Sequence, residues 1–333
     1  MAARVERGLL SVALMAIDNR ISLRITLAAI LTAAAAACDT TIELDEGPSE
    51  EDLADDPGAG EGEIPADLIE RLDLVPGALA TAGAAETIVP AAGEVVLAEA
   101  LLEDGSAELL VLETDEDGRV WEYQMQDVDG SNSEPVPLAL GACSDGAHSF
   151  LPWRWTSTFK WRFYAASTPS YLSAGAVEDA LRNATDNITH SRNDCGLSDQ
   201  VGAQHQYQGR SSSPVSSGGP CGGRNGVSNV GFGDLRAGVL AVTCTYASGG
   251  RAVESDLRFN RGYSWYTGSP GGCSRRWSIT GVATHERGHT FGLGHAAPQA
   301  THAALTMSPG IAPCSNSDAT LGLGDVRGLR RKY

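Results

Sequence analysis

Residues 285–295 read HERGHTFGLGH, and the chemistry this stretch could do is metal chemistry. His285 and His289 stand four apart, which on a helix puts both imidazoles on one face, within reach of one ion. Glu286 follows the first histidine, where its carboxylate can reach a water beside the ion without ligating the ion itself. Gly292 can take a left-handed backbone, end the helix and turn the chain back, so that His295 arrives as a third ligand. Three neutral imidazoles leave the fourth position of a tetrahedral zinc site open for water, as a catalytic site needs. By composition, the five fixed residues would coincide in a chain like this with a frequency on the order of 10⁻⁵. Two blander readings are a core helix with three satisfied histidines and a closed structural zinc site. Against the second, no fourth Cys or His sits at ligand spacing.

The segments before this stretch must carry it. FKWRFYAAS (159–167) alternates as a strand does, and Ser173 is placed to cap a helix over AGAVEDALRNATDNITHS. GAQHQYQG, VSNVGFG, VLAVTCTYA and RAVESDLRFN read as further strands, with a Gly- and Ser-rich loop over 209–226. Trp153, Trp155 and Trp161 are expected to pack the start of this region. His148, His190, His205 and His302 have no partner at ligand spacing and read as surface or loop residues. Asn183-Ala-Thr and Asn187-Ile-Thr match a glycosylation pattern that carries little weight in a bacterial-looking exported chain.

HExxHxxGxxH resembles the metzincin signature, and its context is similar to the matrixin branch, including bacterial members. RAVESDLRFN resembles the sheet edge strand that precedes the active-site helix in that family, and LTMSPG (305–310) resembles its Met-turn, with Met307 beneath the metal. LGLGDVRGLRRKY is similar to the family's C-terminal helix. The resemblance covers about residues 145–333 and implies an α+β fold: a twisted mixed sheet, an active-site helix and a Met-turn. It implies one catalytic Zn²⁺ held by His285, His289 and His295, with Glu286 as general base and Gly292 and Met307 as structural residues near the site. It also allows a structural Ca²⁺ at Asp256, for which a strand-edge acid is the commoner explanation. Ala296 stands where many matrixins carry Ser or Thr.

Charge divides the 333 residues. Residues 39–134 hold 28 acidic and 2 basic residues, a net of −26, whereas 135–333 hold 12 acidic and 18 basic, a net of +6, in a chain of net charge −18. That balance excludes a nucleic-acid binder. The chain divides into an export signal over 1–37 (with a candidate true start at Met15), an acidic flexible tether over 38–75, a small β-rich acidic module over 76–140, and a matrixin-like zinc peptidase domain over 141–333. The apolar run Ile25–Ala37 is too short to span a bilayer but suits a signal peptide. Ala35-Ala36-Ala37-Cys38 resembles a bacterial lipobox, making Cys38 a candidate lipidation site. The expected location is therefore outside the cytoplasm, as a cell-surface lipoprotein or a secreted protein, touching membrane only through that anchor. With Cys38 set aside, six cysteines remain (143, 195, 221, 244, 273 and 314), enough for three disulfides in an oxidising compartment but with 15 ways to pair. Cys143 lies just before the catalytic region, where some matrixins carry a thiol switch. Reading it so would orphan another cysteine, and a disulfide is the expectation.

The expected function is an exported zinc endopeptidase acting on protein or peptide substrates. The rival from another class is a non-catalytic surface lipoprotein or binding module on the same scaffold. The acidic segment carries two open readings: a charged spacer, or a module docked over the cleft with one carboxylate at the open metal position.

Overall fold

Several strands of this chain are apolar on both faces, which is the pattern of strands buried inside a large sheet rather than lying on its surface. The computed structural model describes residues 69–123, 139–215, 221–297 and 299–333. The export segment, Cys38 and the first part of the tether lie outside the described residues. The first strands are β1 (Ile69–Leu72), β2 (Leu79–Ala82), β3 (Ala85–Ile88), β4 (Glu94–Leu102), β5 (Ala107–Thr114) and β6 (Val120–Tyr123). Then follow β7 (Ser149–Phe150), β8 (Phe159–Phe163), α1 (Ala174–Thr189), β9 (His205–Arg210), β10 (Ser228–Gly233), β11 (Val239–Ser248) and β12 (Arg251–Asn260). The chain continues through β13 (Trp265–Tyr266), β14 (Trp277–Ser278), α2 (Ile279–Thr290), β15 (Leu293–Gly294), α3 (Gln299–His302) and α4 (Leu323–Lys332).

Nine strands form one mixed sheet in the order β1-β6-β5-β4-β11-β12-β10-β8-β9. β12, β10, β8 and β9 run parallel, while β11 is antiparallel to β12 on one side and to β4 on the other. The mixed α and β content expected from the sequence is present, with few helices against a large mixed sheet. Two expectations need correction. Arg251–Asn260 is not an edge strand: β10 and β11 flank it, which is why seven consecutive residues of it are buried. Ile69–Leu72, read as part of the tether, is strand β1, paired with β6.

The acidic strands are continuous with the rest of the sheet. β4 pairs with β11 from Glu94↔Ser248 to Leu102↔Val239, and β5 and β6 extend the sheet outward through the expected hairpin at Gly118. Alternate β4 side chains feed two cores. Val95, Leu97 and Leu101 join the main core with Trp153, Trp161, Phe159 and the helix residues Ile279 and Val282. Val96, Ala98 and Ala100 join a second core with Ala80, Val239 and Tyr246 on the opposite face.

α1 begins where expected, with the Ser173 hydroxyl accepting from the Ala176 amide, and it packs Val177, Leu181, Ala184 and Ile188 into the core. Three disulfides, Cys143–Cys195, Cys221–Cys244 and Cys273–Cys314, use all six cysteines of the C-terminal region, so Cys143 is bonded and not a free thiol. Among the described residues no helix is long and apolar enough to cross a membrane.

Candidate metal centre

α2 presents the first two histidines. Ser278 caps it by accepting the Gly281 amide, and the helix ends at Phe291 because Gly292 adopts φ +85°. A Cβ at Gly292 would lie 2.3 Å from the Trp153 carbonyl oxygen, so glycine is required both for the turn and for the close approach. Past the turn, β15 pairs with β7, Ser149 donates to the His295 carbonyl at 2.7 Å, and the Ala296 amide donates to Met307. His295 is thereby swung back to face His285 and His289, and their ring centroids lie 4.8–5.3 Å apart.

The ring nitrogens are oriented from behind. His285 Nδ1 lies 2.7 Å from the Thr306 carbonyl and His289 Nδ1 lies 2.8 Å from the Leu293 carbonyl. A carbonyl only accepts, so both Nδ1 atoms carry the proton, and in the neutral rings both Nε2 lone pairs point to the centre. The Thr306 carbonyl is itself fixed. The Asp325 carboxylate accepts from the amides of Thr306, Met307 and Gly322 at 2.8–3.1 Å, which ties the start of α4 to the loop under the site. Met307 is buried against α2: a Cβ on Gly288 would fall 2.1 Å from its Sδ atom.

One residue at the centre is absent from the sequence reading. Glu99 of β4, fully buried, places Oε1 3.1 Å from His285 Nε2 and 2.9 Å from His295 Nε2, and Oε2 2.8 Å from His289 Nε2. Glu99, His285, His289 and His295 together form a buried group able to hold a metal ion. The donor set fits one. His285 Nε2 and His289 Nε2 are 3.2 Å apart, and Glu99 Oε2 has no hydrogen bond despite its closeness to His289. Lone pairs packed this closely repel unless a cation sits among them. A tetrahedral ion with bonds of about 2.0–2.1 Å has edges of about 3.3 Å, close to these separations.

Without a cation the same group perturbs its own protonation. Burial favours the neutral acid of Glu99, but the charges of His289, His285 and His295 outweigh it and hold Glu99 well below the carboxylate range. Burial opposes a charge on His285, yet Glu99 pushes it up to about 9, whereas burial takes His295 down to about 4. Glu286 is fully buried beside Glu99 and Thr243; burial first, and then the negative charge of Glu99, push it well above the usual range.

Other sequence candidates do not join the centre. Asp256, the calcium candidate, is buried in the sheet and accepts the Asn229 amide at 2.7 Å; its charged neighbours are Glu254, Arg258 and Arg287. Among the described residues it belongs to no metal-ligand group. His205 and His302 are not simple surface residues: His205 Nε2 meets Asp186 at 2.7 Å and His302 Nδ1 meets Asp145 at 2.9 Å, each nearly buried. Glu99 did leave a signal in the sequence, since it is the lone acid inside the apolar run VVLAEALL. The signal is only visible once that run is known to be buried on both faces.

Comparison of the chain with models of known protein families and with curated proteins finds no match.

Proposed function

We propose that the chain is a zinc-dependent endopeptidase of metzincin type, with His285, His289 and His295 holding the metal and Glu286 acting as general base. The observation that carries this reading is the convergence of three Nε2 atoms, two of them oriented by backbone carbonyls, beside a buried glutamate that is not one of the ligands. The mixed sheet, the helix ending at Gly292 and the placement of Met307 against Gly288 support it further. Zinc bound there would supply Lewis acidity to the scissile carbonyl and lower the pKa of water. Glu286 would take the proton of the attacking water and deliver it to the leaving amine. Among the strands of residues 139–333, β11 is the outermost of the sheet next to the centre. It would hold an extended peptide by main-chain hydrogen bonds once β4 is away.

A second reading draws on Glu99. Four protein ligands make a closed site, which is the signature of structural zinc, and the protein would then be a binding module. Glu286 is unexplained in that reading. One zinc per chain by elemental analysis, with gelatin cleavage that follows limited proteolysis and release of the β4 fragment and is lost to a chelator and to Glu286→Gln, supports the peptidase. Cleavage that persists in Glu286→Gln overturns it.

A further inference from the structure

We propose that β4 is a built-in inhibitory strand: Glu99 is the fourth ligand of the metal, and Glu94–Leu102 fills the place along β11 that a substrate peptide would take. The inference rests on the peptidase reading.

Energetics argue that Glu99 is there for a partner. β4 is buried from Val95 to Leu101, and Glu99 is its one ionisable residue in that span. A buried carboxylate costs several kcal/mol unless it is paired or bound to metal. Its partners here are the three imidazoles, reached from a strand 186 or more residues away in sequence from the helix. Structural convenience would have placed another aliphatic residue at this point.

Geometry argues that the strand stands in for substrate. Glu99 pairs with Thr243 of β11, the residue that also faces Glu286, so the carboxylate lies beside both the three histidines and the general base. Leu97 and Leu101, two places to either side on the same face, are wholly buried in the main core. The strand therefore meets an edge, a metal site and two apolar positions at once, as an extended peptide would. It presents a carboxylate instead of a scissile carbonyl at the centre. With that carboxylate occupying the open ligand position, no water can be placed for Glu286 to deprotonate. A chain folded this way is latent.

The test uses the full chain loaded with Co²⁺, whose visible absorption reports the ligand set, and acetohydroxamate as a probe of an open position. Wild type is expected to keep its spectrum when the probe is added. Glu99→Ala is expected to show a changed spectrum and to bind the probe at least about tenfold more tightly. Glu99→Gln, which keeps the size of the side chain and the strand, is expected to fall between them, with far-UV circular dichroism confirming the sheet in each. A wild-type spectrum that responds to the probe as Glu99→Ala does overturns the proposal, and so do folded variants whose spectra match wild type. A Glu99→Ala chain that opens to the probe, yet cleaves no gelatin even after it is cut between residues 124 and 138 and the β1–β6 fragment is released, keeps Glu99 as ligand and overturns the peptidase reading instead.

Discussion

At the scale of single residues, the proposed centre would separate metal holding from proton handling. His289, fixed from behind by the Leu293 carbonyl, belongs to the group able to hold a metal ion, whereas Glu286 does not and lies beside Glu99. Glu286→Gln should therefore retain zinc while the activated enzyme loses about 10²–10⁴-fold in rate, the usual share of a general base. His289→Ala should lose metal and activity together. Elemental analysis beside a peptidase assay checks both, and a glutamine variant as fast as wild type would sink the assignment. Asp256 gives a second expectation. Burial, with Glu254 adding and Asn229 and Arg258 opposing, raises its carboxyl to about 7. The folded state therefore holds a proton there that the unfolded chain has released by about pH 4. Its contribution to stability is full below about pH 4 and is lost as the pH rises through 7. In Asp256→Asn the fall in Tm between pH 4.5 and 7.5 should be shallower, and parallel curves would contradict this. The three histidines, Glu286 and Gly292 were readable from spacing, because helix and turn geometry are local. Glu99 was not, since its partners are set by the pairing of β4 with β11 across the chain.

At the scale of elements, the site is a helix, a turn and a loop clamped together by close contacts that sequence only hints at. Gly288 lies on α2 between His285 and His289 and opposes Met307, and a Cβ there would fall 2.1 Å from Sδ and 2.8 Å from Cε. Gly288→Ala should cost about 1–3 kcal/mol as overpacking and should push the Met307 loop, with its Thr306 carbonyl, away from His285. Adding Met307→Ala should recover part of the loss, because the two side chains share one space. Denaturant unfolding of the single and double variants measures this coupling, and simple additivity would show that the contact does not matter. Most strand positions were readable from alternation and apolar runs, as were the Ser173 cap of α1 and the end of α2 at Gly292. Strand neighbours were not. Placing Arg251–Asn260 at an edge failed because a strand's own residues do not say which strands flank it, and here β10 and β11, both close in sequence, lie on either side.

At the scale of the whole molecule, charge suggested a docked acidic segment, and the structure shows what holds it. Besides the histidine contacts of Glu99, two arginine ion pairs cross to the acidic strands among the described residues, Arg224–Glu94 at 2.6 Å and Arg236–Glu86 at 3.3 Å, with both arginines about half exposed. Exposed pairs contribute about 0–1 kcal/mol each. Val95, Val96, Leu97 and Leu101 are buried on the two faces of β4, and burial stabilises by about 1.5–3 kcal/mol for each such side chain. Backbone pairing along the whole of β4 adds to this. Packing therefore outweighs charge, and salt should matter little. A chain carrying an inserted protease site between residues 124 and 138, once cut, should keep the fragment containing β1–β6 bound during gel filtration in 1 M NaCl, where the Debye length is about 3 Å. Moderate urea, which weakens apolar burial, should release it, and gelatin cleavage should appear only with that release. Fragments that part in salt alone would make the association electrostatic, and activity on cutting without separation would mean that the strand had not been blocking the site.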